Sequence, residues 1–174
     1  MSVIVADDRQ LLPALAAVAD VPFHYAEDAA DFEPFPAFLS AEETTEWLRA
    51  WTRNGEVDGD EFRVFGQDGT GGYAAIWLTR PDRPLADQPV VFLGSEGEAG
   101  VIAADLAGFL WLLADGLGPR EAVDSPGQKL CPDAALSAIA ERFAPGFRRP
   151  ASAVIDAAAR EFPDFEATVV ALCR

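Results

Sequence analysis

The chain carries one histidine, His24, and two cysteines, Cys131 and Cys173, and this scarcity bounds its covalent chemistry. A Ser–His–acid or Cys–His device would need His24 as its base, yet no Gly-x-Ser-x-Gly elbow surrounds any serine. His24 stands between Phe23 and Tyr25 and reads as an ordinary packed or surface histidine. Cys131 directly precedes Pro132, which suits a helix start better than a nucleophile. The two cysteines match neither a redox pair nor a zinc spacing, so reduced, buried thiols are expected.

Carboxylates and glycines offer other chemistry. Asp58-Gly59-Asp60-Glu61 has the look of a calcium loop, but the glycine at position six and the closing bidentate Glu are missing. Glu96-Gly97-Glu98 could join distant acids around a cation; as a local signal it reads as a solvated loop. The run Gly66-Gln67-Asp68-Gly69-Thr70-Gly71-Gly72 lacks the Lys-Ser/Thr of a phosphate-binding loop. It also links two strands, where a dinucleotide loop links a strand to a helix. Asp68-Gly69-Thr70 has the wrong order for an aspartic-protease triplet. A hairpin whose glycines take positive φ is the simpler reading.

Charge narrows the partners. The 174 residues include 13 Lys plus Arg against 29 Asp plus Glu, a formal net charge of −16. Half the residues are hydrophobic, as in a folded domain, and the length suits one domain spanning residues 1–174. Residues 1–61 carry −11 of the charge, residues 62–118 carry −4 and residues 119–174 carry −1. Such a surface repels phosphates and anionic headgroups, which disfavours nucleic acid and membrane as ligands and favours a basic protein or a cation. No basic patch with interleaved aromatics is present. A solvated acidic flank that keeps the chain soluble is the bland alternative. The first twenty residues lack a basic leader, and no run approaches a membrane span, so a cytoplasmic location is expected.

The elements that must position these residues follow from period and punctuation. Asp7 and Asp8 could cap a first helix through about Ala19, provided Pro13 lies near its first turn. In residues 20–39, Pro22, Pro34 and Pro36 break any helix, and Phe23, Tyr25, Phe32, Phe35 and Phe38 pin an extended segment to the core. Ser40-Ala41-Glu42-Glu43 is a capping box for a helix to about Arg53, burying Thr44, Trp47, Leu48 and Trp51 and stopped by Asn54-Gly55. Three strands are expected, over residues 61–65, 73–78 and 89–93, the last apolar throughout. Residues 94–100 read as a glycine-acid loop, followed by a helix over about 103–115 with Ile102, Leu106, Phe109, Leu110 and Leu113 on one stripe and Gly116 as its stop. The remainder reads as helical: one helix from Pro132, one over 150–162, and a last element after Asp164 that fits helix or strand. The expected class is α+β, an antiparallel sheet packed with helices, with extra C-terminal helices.

Several of these stretches occur in a familiar order. Asp31-Phe32-Glu33-Pro34, Phe38-Leu39-Ser40-Ala41-Glu42-Glu43-Thr44, Trp47 and Trp51-Thr52 lead into 62–72 (FRVFGQDGTGG), 89–98 (PVVFLGSEGE), Ala103 and Phe109-Leu110. Over residues 31–116 the chain resembles bacterial members of the SUKH superfamily, which includes the SMI–KNR proteins named after a fungal cell-wall-synthesis regulator. The usual early "LP" segment and later Asn-Gly are not clear here, and residues 119–174 lie outside the resemblance. The resemblance implies an α+β fold without catalytic residues, metal or cofactor. It further implies an immunity protein that binds and neutralises a toxin, often a nuclease or deaminase, and the −11 of residues 1–61 makes a basic toxin domain the expected partner.

The contact candidates are Asp28, Asp31, Glu33, Asp58, Asp60, Glu96 and Glu98. An intracellular regulatory scaffold of the cell-wall-regulator type is the alternative. A third reading is a carboxylate-dependent metal enzyme, which needs two loop acids within about 2.0–2.6 Å of one ion.

Overall fold

The computed structural model describes residues 10–21, 31–124, 126–127 and 131–174. The chain builds a five-stranded antiparallel meander with helices on both faces, an α+β fold. The first helix, α1 (Pro13–Ala19), has Pro13 at its start, where a missing N–H costs nothing, and Leu12 at the N-cap without a side-chain cap. Asp7, Asp8 and His24 lie outside the described residues, as does the contact candidate Asp28.

The proline-rich stretch contributes a short edge strand, β1 (Glu33–Pro34), paired antiparallel to the end of β2 (Phe62–Gln67). Edge placement follows from Pro34, which has no N–H to donate to a ladder. Between these strands α2 (Ala41–Thr52) starts at Ser40, whose hydroxyl accepts the Glu43 N–H at 3.1 Å. The helix stops at Arg53, which itself takes the left-handed conformation (φ 54°) that was expected at Asn54-Gly55. Asn54 instead turns inward, and its amide donates to the Leu172 carbonyl at 2.8 Å.

Strands β3 (Tyr73–Trp77) and β4 (Val90–Leu93) match the expected runs, and a 3-10 turn at Leu85–Asp87 interrupts their connection. A fifth strand, β5 (Ala99–Ala103), corrects the sequence reading, which ran a loop through residue 100 and placed Ile102 on a helix stripe. Gly97, at φ +95°, closes a tight turn in which Gly94 N–H donates to the Glu98 carbonyl at 2.7 Å. That turn returns the chain to the sheet within five residues of β4. Ala-Gly-Val-Ile-Ala carries no polar alternation, because helices rather than solvent cover it on both sides.

The sheet divides the core in two. On one face Phe32, Phe65 and Phe109 meet edge-on with ring centroids 5.2–6.2 Å apart, joined by Val90, Phe92 and Ile102. Against them packs α3 (Leu106–Ala114), capped by Asp105 and stopped by Gly116 at φ +93°. The other face buries Leu48, Phe62, Val64, Val91 and Leu93. Burial on both faces explains why β4 is apolar without alternation.

The C-terminal third contributes α4 (Pro119–Asp124), α5 (Ala134–Phe143), α6 (Ala151–Glu161) and α7 (Phe165–Val170). Leu136, Ala140 and Val154 enter the first core, while Phe165 and Val169 enter the second, where Phe165 packs 4.7 Å from the Trp77 ring. Pro132 lies just outside α5, whose cap is Asp133, accepting the Leu136 N–H at 2.9 Å. The ambiguous last element is a helix, and Asp164 stands at its N-cap without a side-chain bond. Cys131 and Cys173 are both exposed, against the expectation that they are buried. No helix among the described residues is long and apolar enough to cross a membrane.

Candidate partner-binding site

Antiparallel order sends the β2–β3 and β4–β5 turns to the same end of the sheet, and the pairing of Glu33 with Gln67 brings β1 there too. Four of the seven acidic candidates, Asp31, Glu33, Glu96 and Glu98, stand at this end. The key organiser is Asp68, whose side chain is only 2% exposed. Its Oδ1 accepts the N–H groups of Thr70 (3.0 Å) and Gly72 (2.8 Å), and the Thr70 hydroxyl donates to its two oxygens at 2.8 and 2.9 Å. A carboxylate with several donors folds the five-residue turn around itself, so Asp68 acts through its side chain rather than as half of an Asp-Gly dipeptide. Positive φ falls at Gly71 (92°) and not at Gly69.

Ser95 from the neighbouring turn donates to the Thr70 hydroxyl oxygen at 3.0 Å, which ties the two turns together. Behind them the Trp51 indole N–H donates to the Gly94 carbonyl at 2.7 Å and fixes the β4–β5 turn to α2. Gly72 has no room for a side chain, since a Cβ there would press on the Phe92 ring and the Gly94 backbone.

Asp31 closes the site from the β1 side. Its Oδ1 accepts the Gly69 N–H at 2.8 Å, and its backbone N–H donates to Glu121 Oε1 at 2.7 Å. Arg120, from the start of α4, reaches Asp31 at 3.4 Å, Asp68 at 3.7 Å and Asp124 at 3.2 Å. The Asp124 hydrogen bond, more than the nearby Asp68 and Asp31 charges, raises the Arg120 pKa above its ordinary value. The Glu121 carboxyl is raised as well: burial, with the neighbouring Asp31 charge, pushes it above the ordinary glutamate range. The Asp31 N–H and the Arg120 charge oppose that shift. Its Oε2 is buried without a hydrogen-bond partner.

Two shells of carboxylates result. Asp31 and Asp68 face inward and share Arg120. Outside them stand Glu33 and Glu96, both exposed, and the partly exposed Glu98. Glu33 is steadied by the Gln67 amide at 3.0 Å, while Glu98 Oε2 accepts the Glu96 N–H at 3.2 Å. Beside this rim, Tyr73 packs on Trp47 (5.0 Å between centroids) and Phe35 (6.1 Å), and all three rings remain partly exposed.

Asp58 and Asp60 do not join the rim. They precede Phe62, whose partner Trp77 lies at the opposite end of the sheet. There Asp58 Oδ1 accepts the Asp60 N–H at 3.1 Å, and the turn packs so closely on α2 that a Cβ at Gly59 would collide with Thr44. Both carboxylates are exposed parts of a structural turn. Among the described residues, no three His, Cys, Asp or Glu side chains are grouped to hold a metal ion.

Sequence reasoning missed Asp68, Arg120, Glu121 and Asp124. Arg120 and Glu121 sit about ninety residues from Asp31 along the chain, in a stretch with no local motif. The isolated Asp68 in a glycine-rich turn was the one local hint. No protein-family model, no curated protein and no solved structure matches this chain.

Proposed function

We propose that the protein is a non-enzymatic binding domain that docks a basic protein partner on the turn end of its sheet. In this reading it is an immunity protein of the SUKH type, and its partner is a cationic toxin domain. The observation that carries the reading is that the exposed Glu33 on β1 and Glu96 and Glu98 in the β4–β5 turn stand at the same end of the sheet, where Arg120 is already engaged by inner carboxylates.

The physics favours this end in two ways. Outward acids on an edge strand and a hydrogen-bonded turn attract a basic surface, and at about 0.15 M salt the pull extends over roughly 8 Å. The partly exposed Trp47 and Tyr73 beside them belong to the residue types that dominate interface energetics. Docking on preorganised turns also avoids much of the ordering cost of binding. A cytoplasmic setting is part of the proposal, since it keeps the exposed Cys131 and Cys173 reduced.

The test is co-expression with a toxin domain encoded by an adjacent gene, followed by binding measurements at low and high salt. Rescue of growth and a complex that weakens with salt are expected. Failure of rescue together with no complex at low salt would overturn the proposal.

A further inference from the structure

At the opposite end of the sheet from the acidic rim, where the β3–β4 connection meets the start of α3, the surface opens into a cavity of about 410 Å³. That volume lies within the range of small-molecule sites, roughly 300–1,000 Å³. Its walls are mainly apolar: Leu106, Ala107 and Leu110 from α3, Ala14 from α1, and Phe143 and Phe147 beyond them. Phe147 is 51% exposed, which leaves an aromatic face at the mouth that water solvates poorly.

Two charged residues line the cavity among the described residues, and both are acids, Asp87 and Asp105. Asp105 uses Oδ1 to accept the Gly108 N–H at 2.8 Å, so the positive end of α3 is already matched by a carboxylate. An anionic ligand would meet two like charges there. The neighbouring arginines stand outside the cavity, where Arg83 offsets part of the Asp87 charge. Arg80 is held by the Asp87 and Ala104 carbonyls and by Glu161. Arg83 stands 3.8 Å from Asp87 with its side chain 63% exposed, and Arg142 lies over the Phe143 ring at 4.8 Å. None of the three lines the cavity.

We propose that this cavity binds a small amphipathic cation, a molecule with an apolar body and one ammonium head. The body fills the space between α1 and α3, and the head sits between Asp87 and Asp105, within reach of the open Phe147 face. The cavity is separate from the acidic rim, so either proposal can fail without the other.

Calorimetric titration of the full chain with phenylbutylamine, with the isosteric phenylbutanol and with the similarly sized anion phenylbutyrate tests this directly. Saturable binding of the amine is expected, about 10-fold tighter than the alcohol, with the butyrate weakest. Asp87→Asn should weaken the amine by about 10-fold and leave the alcohol unchanged. Ala107→Trp fills the cavity and should abolish binding of both; Ala86→Trp, on the exposed rim, does the same if the first variant fails to fold. Equal binding of the three probes, no saturation of the amine by about 5 mM, or full binding by a folded cavity-filling variant would each overturn the proposal.

Discussion

The backbone N–H of Asp31 donates to Oε1 of Glu121 at 2.7 Å, across 90 residues of sequence. The next residue before Glu121, Arg120, reaches the carboxylate of the same Asp31 at 3.4 Å. The first turn of α4 therefore holds the entry to β1 by two bonds of different kind, one to its backbone and one to its side chain. The arrangement leaves Glu121 Oε2 buried and unpartnered, and burial raises the pKa of that carboxyl.

Glu121→Gln is expected to stabilise the protein near neutral pH by less than about 1 kcal/mol, because the buried charge is removed while the amide nitrogen inherits the unpartnered place of Oε2. The glutamine can still accept the Asp31 N–H but carries no charge to desolvate. The folded pKa of Glu121 is raised, so its favourable contribution is complete below the ordinary glutamate value and is lost as pH rises through the raised one. The gain from the substitution should accordingly grow from acid toward neutral pH. Urea unfolding of both proteins at several pH values measures it; a gain that is constant with pH would contradict the mechanism.

Asp68→Ala should cost at least about 2 kcal/mol, because hydrogen bonds to a charged acceptor contribute roughly 1.5–3 kcal/mol each and this one serves several donors. The loss should also slow binding of a basic partner, since the turn that aligns Ser95 with Thr70 would no longer be held. Amide exchange at Thr70 and Gly72 reports the first effect and association kinetics the second.

Gly116→Ala is expected to destabilise by at least about 2 kcal/mol. Gly116 has φ +93°, and a Cβ there would collide with the Cys131 carbonyl. Gly55→Ala is the contrast, because nothing lies near its missing Cβ and its φ is not positive. Its effect should stay within about 0.5 kcal/mol of wild type in the same unfolding experiment.

Charge reversal separates the two ends of the sheet. Glu33→Lys combined with Glu96→Lys should slow association with a basic toxin domain by about 10-fold or more at low salt, with the difference shrinking as salt is added. Asp58→Lys combined with Asp60→Lys changes net charge equally but acts at the far end, and should alter the rate by less than about 2-fold. Surface plasmon resonance at two salt concentrations distinguishes them. Equal effects of the two pairs would reduce the site to net charge alone.

Elements whose signals are local were legible. Ser40 and Glu43 announced α2, and the unbroken apolar run of β4 announced burial on both faces, whereas α1 begins at Pro13 with Leu12 as its cap rather than at the expected Asp7 and Asp8. β5 was not legible, because Ala99–Ala103 has neither alternation nor aromatic residues and becomes a strand only by pairing with β4. The exposure of Cys131 was equally hidden, since it depends on where α5 packs rather than on neighbours in sequence.

The sequence by itself determined the class of the fold and the sign and amount of the charge, because periodicity, caps and ionisable groups are properties of short stretches. It also listed acids without separating them. Only the tertiary structure divided them into inner Asp31 and Asp68, shared by Arg120; outer Glu33, Glu96 and Glu98; and distant Asp58 and Asp60. The reason is geometric. An antiparallel meander decides which turns share an end, and long-range contacts such as Arg120 with Asp31 decide which carboxylates are neutralised and which face solvent.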